Sequence, residues 1–224
     1  MRFPHLVRMG YPGLVVTIVL LILVPPHFRM LPSLATHTAS LLNHILFVLL
    51  MLSALVPIAP SRRALLTAFV LGVVVIATYP LFDSRGVLLF RVCVQIAFVT
   101  YITRHLLRAL VLAREADFQT ICAAVCFYLL IGLNWAFVYT ALELATPGSF
   151  TIAPQMDFYQ KFENLVYLSY VTIASLGYGD VTPLTPAART WAFLEAIFGQ
   201  FFLAVVVARL VAMQLQSTSD RKSS

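Results

Sequence analysis

The chain has 224 residues, of which 61% are hydrophobic and 11% charged, with mean hydropathy +0.92 and a formal charge of +6. A water-soluble domain of this size needs a polar outer face, so the composition excludes one and implies a surface that meets lipid. The positive charges lie mostly in loops between apolar runs, which makes them a topology signal and argues against nucleic acid as a partner.

Apolar runs of membrane-crossing length fall at 11–30, 36–57, 63–81, 86–110, 119–143 and 187–213. Crossing the hydrocarbon layer takes roughly 20 helical residues, and backbone groups there must pair within the segment, so six helices are predicted. The first run is short, and Pro25-Pro26 is expected to break it. Its basic flank (Arg2, Arg8) is followed by no small-residue cleavage pattern, which argues against a removed leader. The second run carries His37 and His44, seven apart on one face. Intramembrane histidines can sense protons, but a hydrogen-bonded structural histidine is the preferred reading. The third is almost unbroken from Ala64 to Tyr79.

The fourth run bears Arg91 near its outer end and Arg104 and Arg108 at its inner boundary, where long side chains reach the interface. Voltage sensing needs positive charges repeated every three residues, which the fourth run lacks, and acidic partners on neighbouring helices, which runs two and three lack, so direct voltage sensing is not expected. Cys93, Cys122 and Cys126 all sit in apolar runs with no His, Asp or Glu to complete a metal site, and read as small core residues. With the N-terminus inside and the runs alternating, ten Lys or Arg fall on the inner side and four on the outer. That bias predicts a multi-pass cell-membrane protein with both termini cytoplasmic.

Between the last two runs the pattern changes. Residues 144–157 read as an exposed outer loop, and 158–174 is apolar and aromatic but too short to cross and return. Asp157 followed three residues later by Gln160 predicts a capped helix start. Ser175-Leu176-Gly177-Tyr178-Gly179-Asp180 then precedes Pro183 and Pro186, which stop the helix. Non-helical backbone at membrane depth is tolerated only when buried in protein or lining a water-filled path.

Residues 170–183, YVTIASLGYGDVTP, resemble the selectivity-filter signature of potassium channels, and residues 191–211, WAFLEAIFGQFFLAVVVARLV, resemble the inner helix of bacterial members. The resemblance covers about 155–213, and the four earlier runs match only in number. It implies an all-α membrane protein with six transmembrane helices and a re-entrant pore helix and selectivity-filter loop between the fifth and sixth. It implies a homotetramer in the lipid bilayer that passes K+ without a cofactor. The ion-binding set would be Ser175, Leu176, Gly177, Tyr178 and Gly179, with K+ held by the carbonyls of the first four. Gly177 and Gly179 would relieve a backbone that alternates through conformations other residues resist, and the Ser175 hydroxyl would add the innermost ring.

Filter support is expected from Asp180 at the outer mouth, from Thr172 facing the cavity, and from Tyr167 and Tyr170, against which Tyr178 would wedge. Gly199 would be a gating hinge or a close helix contact. Two positions depart from the family pattern: Ser175 stands where Thr is usual, loosening the innermost site, and Leu176 where Val is frequent. Tyr178 favours selectivity. Glu195, on the outer half of the last run, reads first as a structural hydrogen-bonding group and second as a tuner of the filter. Glu163 and Arg189 are a candidate pair across subunits.

The domain reading is 1–113, a four-helix membrane domain; 114–215, the pore domain; and 216–224, a disordered cytoplasmic tail. That tail leaves no room for a nucleotide- or calcium-binding domain, so gating would fall to the membrane part, the filter, lipid or a separate regulatory protein. Rival readings are a weakly selective cation channel relaxed by Ser175, a non-conducting accessory subunit, or a transporter or enzyme with an incidental glycine loop. Against the last, the sequence has no HExxH, GxSxG or Walker loop, no paired intramembrane carboxylates and no repeated half with matching broken helices.

Overall fold

The computed structural model describes residues 10–29, 42, 45–54, 62–77, 84–113 and 115–223. His37 and His44, singled out above, lie outside them. The helices are α1 (Tyr11–Arg29), α2 (Ile45–Ala54), α3 (Arg62–Ala77), α4 (Arg85–Leu112), α5 (Phe118–Ala145), α6 (Phe158–Ile173) and α7 (Pro186–Ser223). Among the described residues, α4, α5 and α7 up to Leu215 are long and apolar enough to cross a membrane, while α1 and α2 are shorter apolar helices.

Helix α5 is the hub, packing against α4, α6, α1 and α7. Its start is fixed by Asp117, whose side chain accepts from the Thr120 amide at 2.8 Å. Its far end is capped from α4: Arg85 Nη2 donates to the Ala145 carbonyl at 2.8 Å and Nε to that of Leu144. Lipid gives apolar helices no hydrophobic reason to associate, so close packing and buried hydrogen bonds must hold them together. The packing is aromatic. Phe127 stacks on Phe202 of α7 with ring centroids 4.9 Å apart, and Phe137 on Phe162 of α6 at 5.1 Å.

Two expectations are corrected. Helix α1 continues through Pro25-Pro26 where a break is expected. Proline removes a donor and crowds the carbonyl one turn back, but these two lie near the helix end, and membrane helices re-satisfy freed backbone groups locally. At the other end of the chain, α7 runs on to Ser223, through the segment expected as a disordered tail.

Burial is uneven. Half of α5's most apolar window is buried inside the chain, against 11% for α7. Phe193, Ile197, Phe201 and Val205 of α7 are exposed, so one flank of this helix has no partner among the described residues.

Candidate functional site

Helix α6 begins with a complete capping box. Asp157 Oδ1 accepts from the Gln160 amide at 2.8 Å, and Gln160 Oε1 accepts from the Asp157 amide at 3.0 Å. Over this start lies Arg91 of α4, buried, its guanidinium carbon 5.1 Å from the centroid of the Phe158 ring.

The other end of α6 shapes the segment that follows. A helix leaves its last four carbonyls without partners, and here the chain turns back to meet them. The Ser175 amide donates to the Thr172 carbonyl at 2.9 Å, and the amides of Leu176 and Gly177 donate to that of Val171 at 2.8 and 3.4 Å. From there positive and negative φ alternate: Ser175 has φ 57°, Gly177 58° and Gly179 79°. Two of these positions are glycines, for which the left-handed region carries no steric cost. The third is Ser175, the one non-glycine residue with positive φ among the described residues. A β-branched side chain there would be a genuine outlier. Serine in place of a β-branched residue therefore suits this backbone.

The segment is braced from behind. The Tyr167 hydroxyl donates to Asp180 Oδ2 at 2.7 Å, and Asp180 Oδ1 accepts from the Val181 amide at 3.0 Å. The tyrosine hydrogen bond holds the Asp180 carboxyl below its usual range. Tyr170 points the other way. Its hydroxyl donates to the Leu129 carbonyl of α5 at 2.7 Å, and its ring lies where a Cβ on Gly132 would stand, 2.6 Å from Cε1. It steadies α6 against α5. Thr172 is half-buried in the last turn of α6, and Leu176 and Tyr178 are exposed within the single chain.

Gly199 is a close contact. A Cβ there would collide with the carbonyl oxygen of Ile173 and stand 2.8 Å from its Cγ1, so α7 lies directly on the end of α6. One residue on, Gln200 Nε2 donates to Ser175 Oγ at 2.6 Å.

Glu195 is fully buried and joins three helices. Its Oε2 accepts from the Tyr139 hydroxyl of α5, and its Oε1 stands 2.5 Å from Ser169 Oγ of α6. Ser169 Oγ is also 2.6 Å from the Gly132 carbonyl oxygen. Ser169 has one proton for two acceptors, so the cluster closes fully when the carboxyl carries a proton of its own.

Sequence reasoning missed a second buried carboxyl. Glu143, near the end of α5, accepts from the amides of Gly148 at 3.0 Å, Ser149 at 2.9 Å and Phe150 at 3.3 Å. The loop expected to be exposed is thus partly buried, with Ser149 and Phe150 almost completely covered. It also pairs with the chain beyond the glycine segment. The Thr151 amide donates to the Thr182 carbonyl at 3.0 Å and the Leu184 amide to that of Ser149 at 2.7 Å. A lone acid at the end of an apolar run was the available signal. Arg189 Nε donates to the Pro183 carbonyl at 3.3 Å, within its own chain.

A family profile described as "Ion channel" matches residues 120–216, which contain α6, the alternating segment and most of α7. Protein LctB of Bacillus caldotenax is 38% identical over 88 residues, covering 38% of this chain and 65% of that protein. The inward rectifier potassium channel Kirbac3.1 of Paramagnetospirillum magnetotacticum is 33% identical over 96 residues, covering 41% of this chain and 28% of that one. Two pore potassium channel c of Oryza sativa subsp. japonica is 31% identical over 88 residues, covering 39% and 17%. The chain therefore spans less than two thirds of the length of each of these relatives. No solved structure matches it significantly. Residues 120–216 thus match the ion-channel profile, and named potassium channels are among the proteins to which the chain is similar.

Proposed function

We propose that four copies of this chain surround one axis in the cell membrane and pass K+ selectively and passively, without a cofactor. The observation that carries the reading is the alternating backbone at Ser175, Gly177 and Gly179, with the amides of residues 175–177 bonded back to the pore helix. Amides so engaged leave the carbonyls of Ser175, Leu176, Gly177 and Tyr178 to serve as the oxygens that replace an ion's water. One strand supplies one oxygen per level, too few to surround an ion. A cyclic arrangement of four copies completes each ring. The largely unburied α7 supports the same conclusion, because its exposed apolar flank suits contact with a neighbouring copy.

In this reading Asp180 and Tyr167 hold the outer mouth. The six-helix arrangement has both termini in the cytoplasm, and residues 1–113 form a membrane domain around the pore. The relatives named as potassium channels support the choice of ion. The test is K+ against Na+ flux from purified protein in liposomes, with Tyr178→Ala as control. K+-selective flux that the substitution abolishes or makes unselective is expected. Equal K+ and Na+ flux from the unaltered chain would replace this reading with a weakly selective cation pore, and absence of a tetramer would remove it.

A further inference from the structure

The inner helix touches the filter segment at Ser175. Gly199 allows this, because without a side chain it lets α7 close onto the Ile173 carbonyl at the end of the pore helix. The next residue, Gln200, then reaches Ser175 Oγ at 2.6 Å.

Ser175 needs such a partner more than its neighbours do. Its φ of 57° disfavours a branched Cβ, so the chain carries an unbranched side chain there. An unbranched hydroxyl has three staggered rotamers open to it, and only some would present a lone pair to a given point. The other candidate oxygens are backbone carbonyls in a segment whose first three amides are already tied down. The Ser175 hydroxyl is the one oxygen of the set free to swing on a single bond.

We propose that Gln200 is a specificity-determining positioning residue: its side-chain amide anchors the Ser175 hydroxyl in the rotamer that turns a lone pair toward the innermost ion site. This rests on the reading of residues 175–179 as the ion path. A hydroxyl oxygen has two lone pairs. The Gln200 N–H takes one and fixes the direction of the other. Four oxygens held this way keep their spacing around a cation the size of K+. Four that swing can close on the smaller Na+ at little cost.

The experiment is the K+/Na+ permeability ratio in liposomes or planar bilayers for the unaltered chain, Gln200→Met, Ser175→Ala and the double variant. Methionine keeps the length and removes the hydrogen bond; Gln200→Leu replaces it if the first variant does not assemble. Gln200→Met is expected to lower the ratio on the order of tenfold, the scale of one hydrogen bond, with the tetramer's melting temperature unchanged. It is expected to add nothing in the Ser175→Ala background, since the group it positions is then gone. A Gln200→Met ratio equal to that of the unaltered chain, or independent losses that multiply in the double variant, would overturn the inference while leaving the filter reading intact. An unaltered chain that conducts both ions equally would overturn the filter reading and this inference together.

Discussion

The Tyr167 hydroxyl donates to Asp180 Oδ2 across 2.7 Å, tying α6 to the residue that follows Gly179. The bond favours the ionised carboxylate, so the Asp180 carboxyl is held below its ordinary value of 3.8. A depressed value means that the brace is present at all pH above the ordinary value and is lost only as pH falls through the lowered one. K+ flux is therefore expected to be steady against external acidification through the mildly acidic range, as far as this residue is concerned. Tyr167→Phe removes the donor and lets the carboxyl return upward, so the acid limb of the flux curve should move to higher pH. An external pH titration of both proteins reads this directly, and coincident acid limbs would show that the pair does not brace the filter.

Two buried glutamates should respond oppositely to the same substitution. Glu143 only accepts, from three backbone amides. Glu143→Gln turns an amide N–H₂ toward at least one of those donors, leaving a buried group unpaired at about 1–3 kcal/mol. Glu195 meets one donor and one group short of a proton. Glu195→Gln supplies both needs, with its carbonyl toward Tyr139 and its N–H₂ toward Ser169, and is expected to melt within a few degrees of the unaltered protein. Glu195→Leu strands Tyr139 and is expected to melt well below it. Thermal unfolding of the detergent-solubilised variants distinguishes these cases.

Gly199 and Gly132 are both close contacts, and they differ in what an added methyl would strike. At Gly132 it meets the Tyr170 ring, a side chain that can turn about its own bonds; at Gly199 it meets the Ile173 backbone, which cannot turn aside. Gly199→Ala is expected to cost about 1–3 kcal/mol, the range for overpacking, and more than Gly132→Ala. Relative melting temperatures of the two variants check this. Were Gly199 only a hinge, its alanine variant would melt normally and differ from the unaltered chain in opening alone.

Local features of residues 157–180 were legible because they depend on residues a few positions apart. The Asp157–Gln160 capping box and the helix over 158–173 are of this kind, and the glycines at 177 and 179 mark positive φ by their chemistry. What stayed hidden depends on chain far away in sequence. Phe150 is buried because its segment pairs with residues near 183, and Glu195 finds Tyr139 fifty-six positions earlier. Ser175 was read for its hydroxyl, with no sign that its backbone takes the left-handed region, since serine carries no mark of that conformation. Tyr170, grouped with Tyr167 as an aromatic near the filter, faces α5 because Gly132 makes room for it there.

Arg209 joins the C-terminal half of α7 to the end of α4. Its Nη2 donates to the Val111 carbonyl at 2.7 Å and to that of Ala113 at 3.1 Å, satisfying groups that the end of α4 leaves unpaired. Arg85 and Arg91 hold the first half of α4 to α5 and α6, so α4 is fastened to α5, α6 and α7 near both its ends. Arg209 is solvent-reachable, so Arg209→Met should cost only about 0.5–1.5 kcal/mol of stability. Its larger effect should fall on opening, because the lower half of α7 is then released from α4. Single-channel recording is expected to give an open fraction changed several-fold with the K+/Na+ ratio unchanged, since the filter contacts are untouched. An unchanged open fraction would mean that α4 holds the pore domain in place without bearing on how it opens.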